Sequence, residues 1–457
     1  FVPLFGRAVE EEGEEGARKF AGEICSALVF CLLVLTALAQ IFMPAVVWFL
    51  APGFVGDAEK FDLTVLMARI AFPYLIFMSL LAFISGILNT YQRFAAAAFA
   101  PVMLNVVMGL VLGAVLLTGV EDNLSLGIIL CSGVTFAGIV QLAVVLIDLK
   151  RLGFRIPLFR PRYVKSTKRL LALGIPGVIA GGVTQINVAV GQIIASMQDG
   201  ANALLYYADR LYQLPLGVIG IAVGVVLLPS LTRQLRSGQE DQYQRSLNNA
   251  LEFSLVLTLP SAVALAVIPE EIVSVLFQRG KFDALATQGT AAALAAFAFG
   301  LPAFVLNKVF SPGYFAREDT KTPMWFAAAG MVVNVVLSLA LFPVFQHVGI
   351  AIATTIAGWV NTALLAFVLW RRGHFIPYLN VARKVGLILI ASLLMGVILH
   401  FSADALSAWL FGPGLPIRAA ALGALVLLGM VSFALIAQIT GGSDLAGHVK
   451  ALKRRNT

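Results

Sequence analysis

Apolar runs of about 20 residues recur from one end of this chain to the other, and each is long enough to cross a bilayer as a helix. Hydrophobic residues fill 60% of the 457 positions and charged residues only 12%, too few polar groups to clothe a water-soluble surface of this size. The runs are continuous instead of alternating. That excludes a membrane β-barrel and leaves α-helices, whose backbone groups are satisfied within each segment. Breaks at Gly, Pro and charged residues give twelve expected spans, near 22–50, 63–88, 99–119, 125–148, 170–197, 203–231, 246–268, 287–312, 323–345, 348–370, 385–403 and 416–440. The fold class is an all-α polytopic membrane protein.

Basic residues set the orientation, because short cytoplasmic loops retain Lys and Arg while translocated loops exclude them. One alternate set of loops and ends holds Arg7, Arg18, Lys19, Arg93, the cluster from Lys150 to Arg169, Arg233, Arg236, Arg245, Arg317, Lys321, Arg371, Arg372, Arg383, Lys384 and the tail from Lys450 to Arg455. The other set holds only Lys60, Arg279 and Lys281. Both ends of the chain are therefore expected in the cytoplasm. The net charge of +8 reads as membrane topology facing anionic lipid headgroups, with no nucleic-acid partner.

The two halves repeat. The opening FVPLFGRAVEEEGEEG parallels LLPSLTRQLRSGQEDQ from Leu227, Lys60-Phe61-Asp62 parallels Lys281-Phe282-Asp283, and Tyr91-Gln92-Arg93 parallels Phe315-Ala316-Arg317. One repeat holds six spans, an even number, so the two six-helix lobes must be parallel, an arrangement that commonly builds a substrate site near the midplane and works by alternating access. The expected divisions are an N-terminal lobe at 1–148, a basic cytoplasmic linker at 149–169, a C-terminal lobe at 170–370, and two extra helices with a basic tail at 371–457. The first lobe lacks counterparts of its first two helices, and the chain opens on Phe instead of Met. A piece of a parent with fourteen helices is expected.

Charge deep in a span marks candidate sites, since a central Arg costs about 2.5–3.5 kcal/mol and normally faces a bundle interior or a wet cavity. Asp209 and Arg210 lie inside the span 203–231. Adjacent helical positions point about 100° apart, so the two need not pair with each other. The Arg210 fork suits a phosphate-bearing headgroup; the other reading is packing against another helix or snorkelling to the surface. Arg69 and Lys308 carry the same two readings. Gln185, Asn187 and Gln192 either offer hydrogen bonds to a substrate or bond between helices. Pro176, Pro215 and Gly217 either hinge a moving lobe or serve ordinary helix packing. No nucleotide-binding loop, metal-ligand spacing or paired catalytic carboxylates stand out, so the chain is read as a non-enzyme without cofactor or metal.

Four segments together resemble a known family: YYADRLYQLPLGVIGIAVGVVLLPSL at 206–231, LFQRGKFD at 276–283, FPYLIFMSLLAFISGILNTYQRF at 72–94 and FAPVMLNVVM at 99–108. They are similar to the MurJ (MviN) family of bacterial lipid II flippases, within the multidrug, oligosaccharidyl-lipid and polysaccharide exporter superfamily. The resemblance implies fourteen helices, two lobes of six followed by two extra helices, here 385–403 and 416–440. It implies transport of lipid II, the undecaprenyl-pyrophosphate-linked peptidoglycan precursor, from the inner to the outer leaflet of the bacterial cytoplasmic membrane, for cell-wall synthesis and cell shape. Arg210 matches the Arg of the family's YYADR motif, and Lys308 matches a Lys of its pattern. Membrane lipids and cell-wall synthesis proteins are the other partners it implies. Export of another polyprenyl-linked oligosaccharide, or multidrug/cation antiport, is the alternative; the mostly basic character of the deep charges favours an anionic cargo.

Overall fold

The protein, described here from a computed structural model, is defined over residues 1–120, 122–157, 159, 182 and 185–442. Pro176, most of the expected linker at 149–169 and the basic tail beyond 442 lie outside the described residues. The chain divides into two compact units, Phe1–Gly182 and Val183–Thr457.

In the first unit, α1 (Val2–Leu50), α2 (Ala58–Ala71), α3 (Tyr74–Thr90), α4 (Ala95–Thr118) and α5 (Asn123–Arg151) follow one another. Short polar residues start two of them. Asp57 accepts from Lys60 N at 3.1 Å to begin α2, and Asp122 accepts from Ser125 N at 2.8 Å to begin α5, each satisfying a donor that the helix itself leaves open. Gly119, in the left-handed region, ends α4. The acidic stretch Glu10–Glu15 lies on α1, interrupted at Gly13 with φ +69°, a conformation that suits a residue without Cβ. Phe5, Ile24, Ile84, Ile87, Leu88 and Val145 form the core between α1, α3 and α5.

Two prolines open a gap in this unit that side chains close. Pro44 has no N–H to give the carbonyl of Gln40 one turn earlier, and Pro73 likewise leaves the carbonyl of Arg69 without its helical donor. Arg69 Nε donates to the Gln40 carbonyl at 3.1 Å, and Gln40 Nε2 donates to the Arg69 carbonyl at 2.7 Å. From the other side, Thr135 Oγ1 on α5 donates to the Ile70 carbonyl at 2.7 Å. The break between α2 and α3 is thus fastened to both α1 and α5.

The second unit contains α6 (Gln185–Ala195), α7 (Ala201–Arg236), α8 (Glu240–Val267), α9 (Pro269–Phe277), α10 (Ala284–Ala298), α11 (Leu301–Phe315), α12 (Lys321–Arg371), α13 (Leu379–Ala405), the single turn α14 (Ser407–Leu410) and α15 (Leu415–Thr440). Its core is the broken pair α10 and α11, where Leu294, Leu301, Val305 and Val309 are fully buried. The break again exposes carbonyls, and α12 supplies the donors: Thr355 Oγ1 to Ala296 at 2.8 Å and Trp359 Nε1 to Phe299 at 2.9 Å; Thr362 Oγ1 also donates to the Ala303 carbonyl, within α11, at 2.8 Å. The helix after each Lys-Phe-Asp motif therefore breaks midway and is clasped by neighbours. The motif itself is placed differently: Asp283 caps α10 from outside, whereas Lys60-Phe61-Asp62 lies within α2.

The expected spans 323–345 and 348–370 both fall on α12, which turns sharply at Gln346, φ +52°. A Cβ on Gly349 would stand 2.8 Å from the Leu341 carbonyl carbon and oxygen, so the two limbs approach as closely as only glycine permits. The two extra helices, α13 and α15, pack on α8 and α9. Lys384 Nζ meets Glu252 Oε1 at 2.7 Å, Asn248 Nδ2 donates to the Ile376 carbonyl at 2.9 Å, and Met395, Leu399, Leu425 and Phe433 pack with Val256 and Ile268. At the start of α15, Arg418 Nη2 donates to Ser274 O and Oγ on α9 at 2.6 and 2.7 Å.

Among the described residues nine helices are long and apolar enough to cross a bilayer, with α2–α3 and α10–α11 each counted as one crossing. Leu116 and Leu117 on α4 are 83% and 91% exposed. A surface of that kind requires a lipid solvent.

Candidate functional site

Helix α7 carries the charged pair, within the span expected at 203–231. Asp209 and Arg210 form no ion pair with each other or with any other described residue. Instead, Asp209 Oδ2 accepts from Gln213 Nε2 one turn later, and the Arg210 guanidinium lies over the Tyr206 ring, 4.7 Å from its centroid. The i, i+4 spacing of Tyr206 and Arg210 places both on one exposed face. The forked donors of Arg210 are thus uncommitted, while the acid beside it is already hydrogen-bonded.

The structure brings Lys308 to the same helix. Lys308 is the exposed residue of a turn of α11 whose neighbours Val305, Leu306, Val309 and Phe310 are buried, and its side chain runs across Gly220 of α7. A Cβ on Gly220 would lie 2.5 Å from Lys308 Cδ, so this glycine makes room for the lysine stem. Among the described residues Lys308 has no ion pair. Ten residues separate Gly220 from Arg210, which places the two cations about 15 Å apart along the helix axis.

Arg69 lies in the first unit, its Nε and its carbonyl both engaged by Gln40. On α6, Asn187 faces α12, where Asn334 Nδ2 donates to Asn187 Oδ1 at 2.8 Å and Thr354 Oγ1 and Ser338 Oγ reach Asn334 Oδ1 at 3.3 and 3.4 Å. Gln185 and Gln192, seven residues apart, are both exposed and share the opposite side of the helix. Helix α7 runs through Pro215 and Gly217 without leaving helical geometry, and nothing lies within 4 Å of a Cβ built on Gly217.

The basic end of the second unit is tied by ion pairs. Arg317 meets Glu240 at 2.7 Å, and Arg372 meets Asp319 at 2.8 Å. Against a partial loss of hydration that pushes the other way, the Thr322 hydroxyl and N–H and the Arg372 guanidinium hold the Asp319 carboxyl down to about 2, from a usual 3.8. A depressed folded-state value means that this carboxylate stabilises the fold above about pH 4 and ceases to do so as pH falls through about 2. Asp319→Asn is expected to lower the thermal midpoint at neutral pH, with the gap from the parent closing between pH 4 and 2; unfolding scans in detergent across that range check it.

Gln40, Asn334, Thr354 and Arg418 were not among the sequence-derived candidates. For Gln40 a signal existed, since a polar residue four positions before a proline inside a span sits at the one carbonyl the helix cannot satisfy. For the others the partner lies on a distant segment.

Two clasped, broken helices among apolar spans, with cations left uncommitted, are what a helical membrane transporter would carry. The family model described as lipid II flippase MurJ matches residues 1–419, and the chain belongs to that family. It is 45% identical over 460 residues to a probable lipid II flippase MurJ of Rhizobium tropici, covering 100% of this chain and 86% of that protein. It is 32% identical over 410 residues to the lipid II flippase MurJ of Burkholderia cenocepacia, covering 88% and 78%. Among solved structures it resembles a lipid II flippase MurJ in an inward closed conformation, TM-score 0.79 at 23% identity over 96% of this chain and 86% of that one. It also resembles an inward-facing multidrug-resistance MATE transporter of the MOP superfamily, TM-score 0.64 at 13% identity over 82% and 84%. The protein is a multi-pass membrane protein.

Proposed function

We propose that this protein moves lipid II from the inner to the outer leaflet of the bacterial cytoplasmic membrane, by exposing one binding site to each side in turn. The observation that carries the reading is Arg210, a guanidinium held inside a span, stacked on Tyr206 and left without a carboxylate partner. The name its relatives share, one of them 45% identical over the whole chain, supports the cargo. The pyrophosphate would lose its water on leaving the headgroup layer, and a fork of N–H donors replaces that water without giving up charge.

In this reading Arg210 grips the pyrophosphate and Lys308 supplies a second charge where it crosses α7; Arg69, in the first unit, is a separate candidate whose Nη atoms could bind an anionic group. Asp209, steadied by Gln213, and the exposed Gln185 and Gln192 offer acceptors and donors to the sugars and peptide, while Asn187 holds α6 to α12. Pro215 and Gly217 are the positions at which α7 would bend during transport. Twelve spans, ten of them in two parallel lobes and two extra, with both ends of the chain in the cytoplasm, are the arrangement this reading takes, and the distribution of basic residues among the loops supports it. No covalent bond is made or broken. The membrane potential, worth about 2.3 kcal/mol per charge per 100 mV, acts on the anionic cargo.

Bacteria whose resident lipid II flippase is depleted test this reading. Growth and normal shape on expression of this protein are expected; lysis despite its presence in the membrane contradicts the assignment.

A further inference from the structure

We infer that the turn of α12 carries a pH-responsive latch: a protonated His347 ring fastens both α10 and the α6–α7 junction to that turn, and a neutral ring lets one of them go. The inference rests on the function proposed above only for its consequence, which is that α7, the helix of Arg210, is held more tightly when the outside is acidic.

His347 is buried and follows Gln346, the residue at which the two limbs of α12 turn. Its Nε2 lies 2.9 Å from the Gly289 carbonyl of α10. Its Nδ1 lies 3.3 Å from Oε1 of Gln198, in the link between α6 and α7. Which way the Gln198 amide points decides what Nδ1 meets. The backbone N–H of His347, which can only donate, gives its hydrogen to the same Oε1 at 2.9 Å, and Gln198 Nε2 donates to Gln346 Oε1 at 3.0 Å. Turning the amide over would set an N–H against an N–H. Both ring nitrogens therefore face oxygen acceptors.

A neutral imidazole has one N–H and one lone pair, so either tautomer makes one of these bonds and sets a lone pair against the other oxygen. The imidazolium donates from both nitrogens at once, and a charged donor makes the stronger bond. Histidine is the side chain that ordinarily changes charge between about pH 5 and about pH 8. Other charged residues are few on the elements round the ring. Helices α6 and α10 carry none, and those of α12 stand only at its two ends, Lys321 and Arg371. Asp199 follows Gln198 in the link, Asp209 and Arg210 lie further along α7, and Lys281 and Asp283 precede α10.

What the latch holds is the start of α7. Ala201 is buried in one cluster with Ile194, Ala195 and Ile350, against which Leu205 and Phe342 pack. A Cβ on Gly289 would stand 2.9 Å from Leu204 Cδ1 and 3.4 Å from His347 Nε2. The α6–α7 junction, α10 and both limbs of α12 thus meet round the ring. Gly200, at φ +72°, makes the turn from α6 into α7. The α6–α7 link and the α12 turn fall in the set of loops poor in Lys and Arg, the set expected outside the cytoplasm, so the ring answers to the outside pH. Bonds to Gln198 and Gly289 made together restrain the outer end of the helix that carries Arg210.

Amide hydrogen exchange in residues 197–205 of the purified whole protein in detergent, corrected for the intrinsic rate, is compared at about pH 5.5 and about pH 8, on either side of the ordinary histidine range. Protection in the parent is expected to rise about fivefold or more on acidification, the size of one hydrogen bond gained, and to stay level in H347Q. Q198A keeps the imidazole and removes the acceptor of Nδ1; it is expected to level the response as well, and it carries the test if H347Q does not fold. Equal protection at both pH values in the parent, or the same rise in parent and variants, overturns the latch. In proteoliposomes with the inner pH fixed, lipid II transfer by the parent is expected to slow about fivefold on the same outer acidification, and transfer by H347Q is not. An exchange response without transfer at any pH counts against the proposed function alone, and transfer without an exchange response counts against the latch alone.

Discussion

Arg210→Ala is expected to slow leaflet transfer of lipid II about a hundredfold while leaving the protein folded. The size follows from the contacts at stake: two charge-assisted hydrogen bonds to a pyrophosphate, at about 1.5 kcal/mol or more each, give about 3 kcal/mol, or two decades in rate. The stability half of the expectation follows from the pairing on α7. Because Asp209 is satisfied by Gln213 and Arg210 only stacks on exposed Tyr206, removing the guanidinium strands no buried carboxylate. Arg210→Lys retains the charge but not the fork, so its rate should fall between the two. Transfer rates in proteoliposomes, read beside thermal midpoints, check the set. A large drop in midpoint with Arg210→Ala would assign the residue to packing.

The reverse pattern is expected at the proline break of the first unit, where Gln40→Leu with Arg69→Met should cost stability first. Each single replacement leaves one carbonyl without a donor, at about 1–3 kcal/mol, and lipid offers no water to replace it. The double variant strands both. The two residues are reciprocal partners, so the double cost is expected to depart from the sum of the singles, as residues sharing one network do. Thermal unfolding of the four forms in detergent measures the coupling. A double variant as stable as the parent would show that the Gln40 and Arg69 carbonyls find other donors, and the clasp would then hold nothing.

Much of this architecture was legible from local pattern. Continuous apolar runs place helices α4, α5, α8, α13 and α15 close to their observed bounds, since their ends carry polar caps, glycines or basic residues. Pro73 and Pro302 carry the signal for the breaks, because a proline cannot continue the hydrogen-bond ladder, but 63–88 and 287–312 each read as one continuous span. Arg210 was found because a charge inside a span is costly enough to need a reason.

What pattern does not report is which helix faces which. The Asn187–Asn334 bond joins residues 147 apart, and the Arg418–Ser274 bond residues 144 apart; nothing in either local sequence names the partner. Lys308 read as a charge inside its span with no partner named, and only its passage over Gly220 ties it to the helix of Arg210. Gly349 gave no local signal either, since its need to be glycine comes from the opposing limb of α12.

The central claim is that a cation inside a span takes the place of water around an anionic lipid head. Its most direct test is a proteoliposome assay in which fluorescent lipid II begins in one leaflet and its arrival in the other is read by an impermeant quencher, with the parent protein and Arg210→Ala side by side. The account predicts rapid protein-dependent arrival that nearly vanishes in the variant. Arrival at the same rate for both, or no arrival with the parent, would contradict it.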